Sequence, residues 1–132
     1  MFIEMGCLFE RQAINQYIIL RSMRKVYLSG PISHYDYSER KQTFLSIQQM
    51  LEKKGYEVFN PMFNGLPKDA STHDHMRVDF KMLCECDTIL MLPKWNHSAG
   101  CAQEFNVAVA IGCEVKFLLS IEPLIIVDTR FE

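Results

Sequence analysis

The 132 residues suffice for one domain with one hydrophobic core and are too few for two, because domains usually span about 100 to 150 residues. With 48% hydrophobic residues, 23% charged residues and a net charge of -2, the chain lacks the broad positive field that a nucleic-acid polymer requires. Its five cysteines lack the paired spacing of a disulfide scaffold or a zinc site, which indicates reduced thiols and a cytoplasmic location. We expect no metal and no other cofactor.

Residues 1–22 precede the first strong strand pattern. They contain Glu4 and Glu10, and they have neither the basic start of a signal peptide nor the length of a membrane span. We interpret them as an N-terminal extension, helical or poorly ordered, and assign residues 23–132 to one α/β domain. Use of the extension's apolar residues for assembly is an open alternative.

Strand and helix patterns then alternate along the chain. Runs rich in β-branched and aromatic residues predict strands at 25–29, 56–60, 87–92, 114–119 and, at an edge, 124–127. Apolar positions at helical spacing predict helices at 38–54, 72–86 and 98–111, with Ser38, Ser71 or Thr72, and Ser98 as the first caps.

This order predicts right-handed crossovers and a flavodoxin- or Rossmann-like three-layer sandwich around a four- or five-stranded parallel sheet. In such sheets ligands bind beyond the carboxyl ends of the strands, which here places them near segments 29–37, 60–71 and 93–98.

The most informative stretch is LPKWNHSAGCAQEFNVAVAIG, residues 92–112. Its helix start offers unpaired amides to an anion, Ser98 adds a hydroxyl, and Gly100 permits close approach to the backbone. Glu104 follows on an otherwise apolar helix, where a carboxylate is costly to bury unless it faces a pocket. The alternatives are that Ser98 is only a helix cap and that Glu104 faces solvent.

Other polar residues have weaker signals. Asp79 is in mid-helix and open to either a site or a solvated role, whereas Asp87 begins a strand at the wrong edge for a ligand and favours capping. His73 and His75 are two apart on a helix and point apart, so we interpret them as surface or loop residues without a metal. Trp95 either stacks on a base or covers the core.

Three segments together resemble the nucleoside 2-deoxyribosyltransferase superfamily: VYLSGPIS at 26–33, MRVDFKMLCECDTILMLP at 76–93 and SAGCAQEFNVAVAIG at 98–112. They are most similar to its small phage and bacterial branch, which is related to deoxynucleoside 5′-monophosphate N-hydrolases. The resemblance covers about residues 24–119.

The resemblance implies roles for individual residues. Glu104 matches the glutamate that attacks the anomeric carbon, Asp79 matches the aspartate that handles the proton of the base, and Ser98 matches the serine that binds the 5′-phosphate in the hydrolases. Tyr27, by default a packing residue, matches an active-site tyrosine. The loop around sugar and phosphate is matched by Ser29, Gly30 and Ile32. Two departures are the SGPIS loop, which is not the glycine-rich version, and a tail without the partner-supplied residues of the transferases.

The resemblance thus implies cleavage or transfer at the N-glycosidic bond of a 2′-deoxynucleoside or its 5′-monophosphate through a glutamate nucleophile. It also implies a small-molecule nucleoside or nucleotide as partner and a homo-oligomer, with no membrane. The open alternative is a non-catalytic module on the same fold that binds a nucleotide or an NAD-derived signal.

Overall fold

The computed structural model describes residues 11, 13, 14 and 23–128, so nearly all of the predicted extension at 1–22 lies outside the described residues. The helices are α1 (Tyr37–Lys53), α2 (Thr72–Cys84) and α3 (Ala99–Ala110). The strands are β1 (Lys25–Ser29), β2 (Glu57–Phe59), β3 (Thr88–Met91), β4 (Glu114–Ser120) and β5 (Ile125–Val127). Short 3₁₀ turns at Pro61–Phe63 and Trp95–His97 follow β2 and β3.

The sheet has the order β2-β1-β3-β4-β5. The first four strands are parallel, with Tyr27 of β1 opposite Phe59 of β2 and Ile89 of β3. This confirms the predicted α/β sandwich, except that β5 runs antiparallel to β4. A connection of only four residues, 121–124, separates β4 from β5, which is too short for the crossover that a parallel strand needs.

Side-chain caps fix where each helix begins. The predicted cap at Ser38 is wrong: α1 begins at Tyr37, and the Asp36 carboxylate accepts a hydrogen bond of 2.9 Å from the amide of Glu39. Ser71 caps α2 and Ser98 caps α3 in the same manner, as their hydroxyl oxygens accept from amides three residues on. The caps therefore hold the amino ends of α2 and α3 in defined positions at the site described below.

Helices cover both faces of the sheet, as the strand periodicity requires. The face under α1 is filled by Met23, Val26, Leu28, Phe44, Ile47, Leu51, Leu90, Leu92, Leu118 and Ile126. The face under α2 and α3 is filled by Tyr27, Leu83, Cys86, Ile89, Met91, Cys101, Ala108 and Phe117. Each fully buried large apolar side chain contributes roughly 1.5–3 kcal/mol to folding. Successive side chains of β1 point to opposite faces of the sheet, so Tyr27 and Ser29 lie on the face that α3 covers.

Two further findings concern the described residues as a whole. None of their helices combines the length and the hydropathy that crossing a membrane requires. Within the same part of the chain, no three His, Cys, Asp or Glu side chains are grouped closely enough to hold a metal ion.

Candidate active site

A cavity of about 840 Å³ lies beyond the carboxyl ends of β1 and β3. The chain leaves β1 toward α1 on one face and leaves β3 toward α3 on the other, so a crevice forms where the strand order reverses. Its walls are the loop after β1, the first two turns of α2 and the start of α3. Two of the three predicted segments, 29–37 and 93–98, contribute to this lining, whereas segment 60–71 does not line it directly.

Glu104 reaches this cavity from the second turn of α3. The hydroxyl of Ser29 donates a 3.2 Å hydrogen bond to its Oε1. Its other oxygen, Oε2, is shielded from solvent and has no hydrogen-bond partner among the described residues, and the same is true of the Tyr27 hydroxyl. An unpaired buried carboxylate oxygen is costly, which is typical of a site that a ligand completes.

Burial raises the pKa of the Glu104 carboxyl from 4.5 to about 7. The Tyr27 hydroxyl lies beside the carboxyl and lowers its pKa, although the two groups do not reach good hydrogen-bond geometry. The negative charge of Asp79 raises the pKa further, and the Ser29 hydroxyl lowers it. Burial and the same two carboxylates raise the pKa of Tyr27 well above its usual value, so its hydroxyl keeps its proton at neutral pH. Glu104 therefore exchanges a proton near neutrality, next to a neutral phenol.

Asp79 faces the same cavity from α2, and its charge acts on Glu104. Burial raises the pKa of the Asp79 carboxyl. Two neighbours lower it: Asn64, whose Nδ2 donates a 2.9 Å hydrogen bond, and the nearby His75 ring. The interpretation of His75 as a surface residue is wrong. Its ring lines the cavity, half-buried, with Nδ1 3.0 Å from Asn64 Nδ2, because residues four apart lie on one helical face. The exposed His73 does not line the cavity.

The start of α3 forms the opposite corner of the cavity. The hydroxyl oxygen of Ser98 accepts from the Cys101 amide at 3.3 Å, so the helix cap uses the oxygen of this hydroxyl and not its proton. A Cβ on Gly100 would have one described neighbour, Ser98 Oγ at 3.7 Å, which is an ordinary contact distance. The space beside Gly100 is therefore open. Burial raises the pKa of the Cys101 thiol, which keeps that group neutral. This corner is suited to an anionic group.

The loop after β1 approaches the core closely at Gly30. A Cβ there would lie 2.9 Å from Leu92 Cδ1 and 3.1 Å from Phe44 Cζ, so any larger residue would push the loop outward. Ile32, also predicted for the site, lies farther along the loop, where it lines the cavity and packs against the core under α1. This close packing at Gly30 follows directly on Ser29, whose hydroxyl donates to Glu104.

Arg40 of α1 fastens the same loop. Its Nε donates a 2.7 Å hydrogen bond to the carbonyl of Pro31, and its guanidinium lies over the Tyr35 ring at 5.4 Å. The loop after β1 and the loop after β3 each contain a non-glycine residue with positive φ, His34 at 69° and Lys94 at 66°. Such conformations persist where surrounding contacts hold them, and His34 lines the cavity whereas Lys94 does not.

Two other residues have structural roles. The Asp87 carboxylate accepts from the amides of Arg24 and Lys25, at 3.2 and 2.9 Å, at the amino edge of the sheet, as its strand position indicated. Trp95 stacks on Phe105 with ring centroids 5.2 Å apart, which favours its covering of the core over stacking on a base.

The structure thus brings all eight of the predicted site residues to one region. Tyr27 and Ser29 lie behind Glu104, and six of the eight line the cavity: Gly30, Ile32, Asp79, Ser98, Gly100 and Glu104. Sequence reasoning missed Asn64, His75 and Arg40. The spacing of His75 and Asp79 was a usable signal, whereas the reach of Asn64 from a loop left no trace in the sequence.

Residues 24–117 match the profile of a protein family described as a domain of unknown function (DUF4406). The chain belongs to this family. Among curated proteins, no significant sequence match to the chain was found.

Several solved structures resemble this DUF4406 chain. It is similar to the Clostridium botulinum CMP N-glycosidase BcmB, with 25% identity, a TM-score of 0.52 and coverage of 73% of this chain and 69% of that one. It shares its fold with a 2-deoxyribosyltransferase from Bacillus psychrosaccharolyticus (20% identity, TM-score 0.56, coverage 74% and 78%). It also shares its fold with BlsM, with 22% identity, a TM-score of 0.58 and coverage of 76% of this chain and 67% of that one. These neighbours confirm the resemblance to the nucleoside 2-deoxyribosyltransferase superfamily.

Proposed function

We propose that this protein cleaves or transfers at the N-glycosidic bond of a 2′-deoxynucleoside 5′-monophosphate, with Glu104 as the nucleophile. The observation that carries the proposal is the buried carboxyl of Glu104, which has one unpaired oxygen and lies at the cavity between Ser29 and Tyr27. The 25% identity to a CMP N-glycosidase supports the same class of bond and a 5′-monophosphate.

In the first step, one oxygen of ionised Glu104 forms a bond to C1′ of the sugar. The bond between C1′ and the base nitrogen breaks, and its electron pair stays on the base, which accepts a proton from Asp79. The transition state resembles an oxocarbenium ion, so a carboxylate beneath C1′ stabilises it as in retaining glycosidases. A 2-deoxy sugar forms this cation more readily because no 2-hydroxyl withdraws electrons.

In the second step, ionised Asp79 takes a proton from water or from an incoming base. That nucleophile attacks C1′ from the face the first base left, and the bond between C1′ and Glu104 breaks, which returns the carboxylate. The first step needs a single proton on the two carboxyls, since Asp79 must donate while Glu104 is ionised. The mutual effect of their charges favours such a singly protonated pair near neutral pH.

The phosphate is assigned to the start of α3. Ser98 supplies a hydroxyl whose proton is not used in the cap, and the open space beside Gly100 admits oxygens to the amides of the first turn. Glu104 lies six residues beyond Ser98 on the same helix, so one rigid element positions both phosphate and nucleophile. Tyr27, whose phenol stays protonated, lies behind the Glu104 carboxyl and lowers its pKa.

The test is base release from a panel of 2′-deoxynucleoside 5′-monophosphates, the matching nucleosides and ribonucleotides, followed by chromatography with and without an acceptor base. We expect release from at least one deoxynucleotide and none from Glu104→Gln. Glu85→Gln is the matched control, since Glu85 is an exposed glutamate at the far end of α2, and it should retain full activity.

Failure of the folded protein to release base from every substrate would contradict the proposal. A thermal shift that a nucleotide produces equally in wild type and Glu104→Gln, without turnover in either, would instead indicate the binding module.

A further inference from the structure

Asn64 joins two residues of the cavity wall from outside the cavity. It lies in the connection between β2 and α2, and its Nδ2 is 3.0 Å from His75 Nδ1 and 2.9 Å from Asp79 Oδ1. Its Oδ1 accepts a 3.0 Å hydrogen bond from the Leu66 amide. That third contact fixes which end of the amide is oxygen, so Nδ2 is the end that faces His75 and Asp79.

This orientation determines how the His75 ring is protonated. An amide nitrogen only donates, so Nδ1 of His75 must accept and the proton of the neutral ring sits on Nε2. His75 and Asp79 are one turn apart on α2, and both line the cavity. The ring thus has a donor to offer on the same wall as the Asp79 carboxyl.

The same amide also distinguishes the two oxygens of Asp79. Because Asn64 donates to Oδ1, that oxygen is the acceptor when the group is protonated, and the proton is on Oδ2. After Oδ2 gives up the proton, the Asn64 donor stabilises the carboxylate that remains. One amide therefore supports Asp79 both before and after a proton transfer.

We propose that Asn64, His75 and Asp79 form the leaving-group site, in which Asn64 positions both partners and His75 Nε2–H donates to an acceptor atom on the departing base. This inference rests on the proposed function and assigns residues that recognise the base. As the bond from C1′ to the base breaks, its electron pair passes to the base. The base takes the proton from Asp79 Oδ2, and Asp79 ends as a carboxylate held by Asn64.

The test compares two leaving groups on the same sugar phosphate: a natural base, and 4-nitrophenolate, which departs without needing a proton. Asn64→Asp keeps the oxygen that accepts from Leu66 but removes both donors, and His75→Ala removes the ring. General acid assistance is worth about 100-fold or more, so both variants should lower kcat with the natural base about 10- to 100-fold. With 4-nitrophenolate we expect less than about 3-fold loss, since protonation no longer limits the step.

His73→Ala is the matched control, because His73 lies on the same helix, is exposed and does not line the cavity. This variant should keep the wild-type kcat with both substrates. Equal losses on both leaving groups, or no loss in the Asn64 and His75 variants, would overturn the inference. A second readout needs no turnover: in ¹⁵N NMR of the imidazoles, the signals that His75→Ala removes should be those of a ring with its proton on Nε2, and Asn64→Asp should change them.

The outcomes separate the two proposals. A wild type that releases no base from any substrate refutes the proposed function and this leaving-group role together, whatever the NMR shows. A wild type that releases base, combined with a His75 ring protonated on Nδ1, refutes only the role of the network.

Discussion

Replacing Glu104 by glutamine should stabilise the protein, and by an amount that grows with pH. The folded state raises the carboxyl pKa from 4.5 to about 7, so it binds a proton more tightly than the unfolded chain does. Stability is then lost as pH rises from the unfolded value toward the folded one, with a limiting cost of about 3 kcal/mol. Part of the side chain faces the open cavity, so we expect a measured gain of about 1–3 kcal/mol at pH 8.

The assay is urea unfolding of wild type and Glu104→Gln at pH 5, 6, 7 and 8. Near pH 5 the folded carboxyl is mostly protonated, so the stability difference should be at least about 1 kcal/mol smaller there than at pH 8. A difference that stays constant over this range would contradict the prediction, because a neutral packing effect does not depend on pH. A wild type whose free energy of unfolding rises as the Glu104 carboxyl ionises would also contradict it.

Three further predictions follow from the site. Ser98→Ala should raise KM about 10-fold for the monophosphate but not for the nucleoside, and loss of the cap should cost about 1 kcal/mol in urea unfolding. Gly30→Ala should destabilise the protein by about 1–3 kcal/mol, measured in the same way, because its Cβ meets Leu92 and Phe44. The pH profile of kcat/KM should be bell-shaped with its falling limb near 7, where the carboxyl pair loses its shared proton, and Asp79→Asn should abolish that limb.

The sequence predicted the sheet and its helices because their periodicities are local properties. The strand β3 is buried along its whole length, as its run of apolar residues predicted. The parallel pairing predicted for a fifth strand was wrong, because the four-residue connection 121–124 is too short for a parallel crossover and permits only antiparallel pairing. The cap of α1 was misplaced by two residues because Asp36 and Ser38 are both good capping residues.

The site was predictable where one helix holds its parts. Ser98, Gly100 and Glu104 keep fixed offsets on α3, so their sequence spacing defined their geometry. Asn64 and His75 come together only through the fold of a long loop, and no local pattern records a hydrogen bond across eleven residues. Their partnership is a tertiary contact, which sequence spacing alone does not encode.

The most direct test of Glu104 as the nucleophile is to trap the sugar on the protein. Wild type mixed with an accepted deoxynucleotide is quenched in acid during turnover, digested and analysed by mass spectrometry. We expect 2-deoxyribose 5-phosphate attached to the peptide that contains Glu104, and none in Glu104→Gln. Attachment at a different residue, or undiminished base release by Glu104→Gln, would contradict it.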